Sequence, residues 1–391
     1  MLKDNRSFPY PAMVALLVIL LLVQVVVGVT CNNRQEQKRE FRIGVIAPIT
    51  GNIPEVGQST IDAANLVARE INTAGGLDIN GESWEVVLIA EDNQDRAEVT
   101  ASAALKLINQ QNVIAIIGPQ ASRNAIPASM VAERTKIPMI SPWSTDPETT
   151  LNKKWVFRVA FVDSFQGKVM ARFAHEELGA QKVAVLFDIA SDYNRELAEF
   201  FKASFEDFGG EVVAFESYTT DAPDVTEQML RIKESGAEVL FLPNYYKEVP
   251  EQVRVAREVG VEAKIIGSDS WCQIASADRA IVEGSFFSTH YAVDIADEKA
   301  QAFVTKYREA YGRDPDDVAA LTYDAFGLLF EAVRLQGKVN PDAVRDGLAA
   351  IELYHGVTGT MEYKGTGDPV KSAVILQIKE GRFVFYSRAE P

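Results

Sequence analysis

Five short apolar runs in this chain end in residues able to hold charge or donate hydrogen bonds. Gly118 is followed by Pro119-Gln120-Ala121-Ser122-Arg123, and Ser141 by Pro142-Trp143-Ser144-Thr145-Asp146-Pro147-Glu148. Farther on, Phe187 leads into Asp188 through Tyr193, Leu242 into Pro243-Asn244-Tyr245-Tyr246, and Gly267 into Ser268-Asp269-Ser270-Trp271. Ser122 and Thr145 stand where helices are expected to begin, and a hydroxyl beside unsatisfied helix N–H groups suits a carboxylate. Asp269, in the second half of the chain, suits an ammonium. Together they complement a zwitterion, with Tyr193 and Tyr245 close to the same run ends. Each residue also has a plainer reading: Ser122 and Thr145 as N-caps, Asp269 as a turn residue, the tyrosines as surface-facing loop aromatics. Convergence of all five at run ends favours a site.

Catalytic patterns are missing from the same sequence. No GxGxxG follows a strand-like run, and neither a GxxxxGK[ST] loop nor HExxH occurs. The three histidines, His175, His290 and His355, each lie apart from any other His or Cys, and Gly267-Ser268-Asp269-Ser270-Trp271 does not fit GxSxG. Cys31 and Cys272 alone support neither a disulfide framework nor a zinc site. The expectation is a binding protein without cofactor or metal, and not an enzyme.

The runs that position these residues alternate with helix-period segments. Phe41–Ala47 is β-rich, Ile61, Ala64, Ala68 and Ile71 recur at helical spacing, and Gly75-Gly76 stops that helix. Asn80-Gly81 signals a hairpin into a strand over Trp84–Ala90. A helix over Ala97–Asn109, a strand over Val113–Gly118, a helix over Asn124–Arg134 and a strand over Ile137–Ser141 follow. The pattern restarts with strands over Lys182–Phe187, Glu211–Phe215, Val239–Leu242 and Ala263–Gly267, and helices over Asn194–Phe208 and Val225–Glu234 between them. Helices over Glu298–Tyr311 and Ala319–Leu335 precede a β-branched tail. Nearly unbroken apolar strands between helices mean parallel sheets covered on both faces. The pattern alone reads as two doubly wound α/β domains in series, as a length of 391 residues suggests.

The net charge is −16, and the +1 summed over Lys3, Asp4 and Arg6 leaves −17 for everything after residue 31. Such a surface repels nucleic acid and anionic lipid. Lys3 and Arg6 precede an uncharged stretch, Ser7–Thr30, whose apolar part ends in Gly28-Val29-Thr30-Cys31. That is an export signal. Cys31 resembles the modified cysteine of a bacterial lipoprotein; an uncleaved anchor helix and plain cleavage are the other two readings. All three put the folded part outside the cytoplasm, at the cell envelope. Asn32–Glu40 is polar and reads as a tether.

From Phe41 to Phe385 the chain resembles the branched-chain amino-acid (Leu/Ile/Val) binding proteins of ABC transporters. The resemblance rests on Ile43-Gly44-Val45-Ile46-Ala47-Pro48-Ile49-Thr50-Gly51, Ile71-Asn72-Thr73-Ala74-Gly75-Gly76, Ile117-Gly118-Pro119-Gln120-Ala121-Ser122, Ile137-Pro138-Met139-Ile140-Ser141-Pro142 and Tyr323-Asp324-Ala325, in that order. It implies a type I periplasmic-binding-protein fold: two doubly wound parallel-sheet lobes joined by a three-crossing hinge near residues 160–164, 288–292 and 369–373. Lobe 1 would be residues 41–162 plus 291–369, and lobe 2 residues 163–290 plus 370–391, after a signal or anchor segment (1–31) and a tether (32–40). It further implies that Ser122 and Thr145 hold a ligand carboxylate, helped by the backbone around Trp143 and Ser144. Asp269 then takes the ammonium, and Tyr193 and Tyr245 face the ligand. The partners implied are an amino acid and the permease and ATPase subunits of the inner membrane. Departures bear on specificity: Val56 in place of an aromatic, Trp143 in place of a small residue, Asp269 in place of Glu. Trp143 and Trp271 either shape the side-chain pocket or are packed loop tryptophans. A ligand-sensing receptor ectodomain, or a binder of a small carboxylate or amide, is the alternative on the same fold.

The N-terminal reading is tested by fractionating cells that carry the wild type or Cys31→Ala. Loss of acyl labelling and of cleavage after Thr30 in the variant is the lipoprotein outcome, whereas an uncleaved, unlabelled, membrane-bound wild type is the anchor outcome. Native protein in the cytoplasm refutes both.

Overall fold

A parallel strand buried on both faces must be apolar along its whole length, and the strands of this protein are built so. The computed structural model describes Met1 and residues 39–391; the signal or anchor segment, Cys31 and nearly all of the tether lie outside the described residues. Six strands form the first sheet: β1 (Arg39–Ala47), β2 (Leu77–Ile79), β3 (Glu82–Asp92), β4 (Ala115–Ile117), β5 (Met139–Ser141) and β6 (Val156–Arg158). Their order is β2-β3-β1-β4-β5-β6, and β1, β4, β5 and β6 run parallel. The hairpin between β2 and β3 turns at Asn80 (φ 54°) and Gly81 (φ 80°), the paired left-handed conformation of a type I′ turn. The second sheet takes β7 (Lys182–Asp188), β8 (Glu211–Tyr218), β9 (Val239–Leu242), β10 (Lys264–Gly267) and β11 (Phe286–Thr289), all parallel. A small sheet of β12 (Leu353–Gly356), β13 (Gly359–Tyr363) and β14 (Pro369–Val370) intervenes, and β15 (Ala373–Lys379) and β16 (Arg382–Ala389) then join β11 antiparallel.

The serial arrangement read from local pattern is corrected here. After β11 the chain leaves the second sheet, and the helix Asp317–Gln336 packs against the helix Pro54–Thr73 and against β4 and β5 of the first sheet. The last strands then return to the second sheet. Periodicity reports what an element is; pairing across two hundred residues is not written in it. Short elements also escaped the pattern: β6, β11, the helix Asp163–Arg172, and the helices Val249–Val259 and Pro341–Ala350, both of which have a proline in the first turn.

Connections between the sheets run after Arg158, after Thr289 and between Val370 and Ala373, and they lie side by side. Phe161 on the first stacks on His290 of the second, ring centroids 3.7 Å apart. Lys371 on the third, buried, donates to the Val159 carbonyl (3.2 Å) and to Thr358 Oγ1 (2.7 Å). Thr358 passes its own proton to Asp324 (2.6 Å), which also accepts two backbone N–H groups. Burial pulls the lysine pKa down to about 8, against the opposing pull of Asp324 and Asp317. Removing the ammonium leaves a buried carboxylate without its counter-charge, a loss on the order of 3 kcal/mol. Lys371→Met should therefore shift the urea midpoint well down, and an unchanged midpoint refutes the crossing as a stability element.

Candidate functional site

Loops at the carboxyl ends of the parallel strands from both sheets meet around one cavity. Close approach begins at Gly118 (φ 94°), where a Cβ would sit 2.2 Å from the Ile46 carbonyl oxygen. The chain then delivers Gln120, Ala121 and Ser122 to the cavity wall. Ser122 is the first residue of the helix Ser122–Thr135, whose N-cap is Ala121, so the N-cap reading of Ser122 fails. Its hydroxyl instead shares a hydrogen bond with Ser144 (2.9 Å), which shares another with Thr149 (2.7 Å). Thr145 is no cap either: Asp146 caps the following turn by accepting from the Glu148 N–H. Buried Arg158 fixes this loop by donating to the carbonyls of Ser144 (2.8 Å) and Asp146 (2.7 Å).

The second sheet contributes Tyr193, Tyr245, Asp269 and Ser270. Both tyrosines are buried, not surface-facing, with rings 5.2 Å apart. The Arg123 guanidinium, paired twice with Asp95 (3.0 and 2.6 Å), lies over the Tyr245 ring at 4.4 Å. Asp269 is far more tightly held than a turn residue. Oδ1 accepts from Tyr193 (2.6 Å) and Gln166 Nε2 (3.0 Å), and Oδ2 stands 3.4 Å from His290 Nε2. Burial lowers the His290 pKa to about 4, so the imidazole is neutral near pH 7.

Of the residues singled out in the sequence, Ser122, Trp143, Thr145, Tyr193, Tyr245 and Asp269 line the cavity; Ser144 stands behind Ser122. The two tryptophans part ways. Trp143 lines the cavity and donates through Nε1 to Asp317 (3.2 Å), whereas Trp271 is fully buried against Gly267 and Phe287. Cys272 donates to the same Asp317 (2.6 Å).

Four residues escaped the sequence reading: Gln120, although its run was noted, and Asp163, Gln166 and His290. Asp163 is fully buried and begins the helix after the first crossing. Neither of its oxygens has a well-formed hydrogen bond among the described residues. Burial first, then the charge of Asp269, raises its pKa well above the usual carboxylate range; the Thr145 hydroxyl and Arg158 pull the other way. A charged residue directly after the apolar run Val159-Ala160-Phe161-Val162 was the available signal. One side of the cavity thus offers hydroxyls at a helix start, and the other the Asp269 carboxylate, with no basic side chain among the lining residues. That suits a molecule with an anionic and a cationic end. Among the described residues no group of three or more His, Cys, Asp and Glu could hold a metal, and no helix is long and apolar enough to cross a membrane.

Residues 40–382 match the model of the periplasmic binding protein family. A protein of Pseudomonas aeruginosa named as binding leucine, isoleucine, valine, threonine and alanine is 27% identical over 332 residues, 84% of this chain and 87% of that one. The crystal structure of a leucine-binding protein from Thermotoga maritima superposes with a TM-score of 0.82 at 31% identity, covering 90% of this chain and 99% of that one. A branched-chain amino-acid transporter substrate-binding protein from Streptococcus pneumoniae, solved with isoleucine, gives 0.81 at 28% identity over the same shares.

Asp163, beside the charge of Asp269, sets a pH dependence. In the free protein Asp163 keeps its proton above the ordinary aspartate pKa, and a cation bound beside it favours the ionised form. Binding of a cationic group therefore expels a proton, and affinity rises with pH by up to about tenfold per unit until Asp163 is ionised in the free protein. Calorimetry in two buffers of different ionisation heat counts that proton; affinity that stays flat across the acidic range with no proton released refutes the coupling.

Proposed function

The chain belongs to the periplasmic binding protein family, and on that premise we propose that it is the extracytoplasmic substrate-binding protein of an ABC transporter, closing on a free α-amino acid. The carrying observation is the opposition of Ser122 and Thr145 on one wall to Asp269 on the other. A carboxylate against the hydroxyls and the helix start, and an ammonium against Asp269, neutralise both ends of a zwitterion. Relatives named for leucine, isoleucine, valine, threonine and alanine support the amino-acid class.

The two sheets are the cores of two lobes, residues 41–162 plus 291–369 and residues 163–290 plus 370–391, and the three crossings are the hinge between them. A few torsions there close the cleft while each lobe stays rigid. Closure carries Tyr246 to Glu55 (2.7 Å) and Arg123 to Tyr245 across the mouth. The closed form is what a permease and its ATPase read, so binding acts as a population shift. Membrane tethering through the N-terminus keeps the protein near that permease.

Titration of an amino acid and of its deaminated analogue tests the assignment. Asp269→Asn should weaken the amino acid by about 2–5 kcal/mol, because a desolvated ammonium loses a counter-charge. The same change leaves the deaminated acid unaffected or improved. Ser122→Ala should weaken both ligands, since both retain the carboxylate. If Asp269→Asn binds the amino acid as well as the wild type does, the ammonium lies elsewhere and the assignment falls.

A further inference from the structure

Gln120 has no role in holding the charged ends of an amino acid, yet it is fully buried and lines the cavity two residues before Ser122. A glutamine amide offers two acceptor and two donor positions. Here Nε2 has a single bond, to Thr322 Oγ1 at 3.5 Å, the outer limit of such contacts, and Oε1 has no partner among the described residues. A buried amide left this incomplete costs free energy until something satisfies it.

Trp143 limits what that something can be. Its indole N–H is tied to Asp317, which also accepts from Cys272 and from Thr289 Oγ1 (3.3 Å). Those two donors sit at the end of the second sheet, so swinging the indole aside breaks a network anchored outside the pocket. With Trp143 fixed, its indole stays a wall of the cavity and limits side-chain length there. An acidic side chain meets Asp269 with no basic residue in the lining to offset it. A purely aliphatic side chain beside Gln120 leaves its amide unpaired.

We infer that the preferred ligand is an amino acid whose short side chain carries a hydroxyl or carboxamide, with Gln120 as its specificity-determining partner. This rests on the amino-acid reading and narrows it away from purely aliphatic side chains. A hydroxyl serves whichever end of the Gln120 amide faces it, because it both donates and accepts.

Threonine and valine have nearly the same shape and differ by a hydroxyl for a methyl; asparagine and leucine form a second such pair. Calorimetric titration of all four into the wild type should show threonine over valine and asparagine over leucine by about tenfold, the worth of one buried hydrogen bond. Gln120→Leu should abolish or reverse both preferences, each measured against alanine as the common reference. Valine binding to the wild type as tightly as threonine, and leucine as tightly as asparagine, overturns the specificity inference and leaves the amino-acid reading standing. Failure of all five amino acids to bind folded wild type overturns the amino-acid reading itself. If Gln120→Leu does not fold, the wild-type ratios decide alone.

Discussion

A carboxylate sealed from water must be met by donors from whatever surrounds it, and Asp269 is met by three separate parts of the chain. Tyr193 comes from the helix after β7, Gln166 from the helix after the first crossing, and His290 from the second crossing. Gln166 Nε2 also donates to Ser288 on β11 (2.9 Å). The residue proposed to read an ammonium is thus wired directly into the connections between the sheets. Asp163 begins the helix after the same crossing, and neither of its oxygens has a well-formed hydrogen bond among the described residues. The proposed binding site and the proposed hinge therefore share hydrogen bonds.

The opposite wall is stiffened by a different device. Arg158, at the end of β6, is fully buried and spends its donors on the loop that carries Ser144 and Thr145, on Thr150 and on Asp368. Charged groups are expensive to bury and tolerated only when each donor finds a partner. Its two Nη groups stand in for the water that the loop carbonyls would otherwise bind, and the charge is offset by the Asp368 carboxylate 2.6 Å from Nε. The loop is held in one shape before any ligand arrives, which lowers the ordering cost of binding.

How legible this was in the sequence depends on the range of the physics. Ser122, Thr145, Tyr193, Tyr245 and Asp269 follow apolar runs, and strand ends are marked by local pattern alone. Their convergence on one cavity follows from two parallel sheets presenting the same ends. Asp163, Gln166 and His290 lie on or beside the crossings, where no periodicity distinguishes a hinge from any other loop. The interleaving was likewise invisible to pattern, because nothing local in the helix Asp317–Gln336 says that it lies on β4 and β5. Resemblance to a family supplied what periodicity lacked there. Trp143 and Trp271 show the same limit: both follow strand ends, and only packing separates a pocket wall from a core filler.

Interleaving also governs the order in which the molecule is able to finish. The first sheet is complete by Arg158, yet the helix that covers it is made more than 150 residues later. The second sheet waits longer still, for β15 and β16, the final strands of the described chain. Neither half can bury its core until nearly all of the polypeptide has been synthesised. A chain destined to be threaded across a membrane must stay unfolded while it waits, and this topology supplies the delay from its own connectivity.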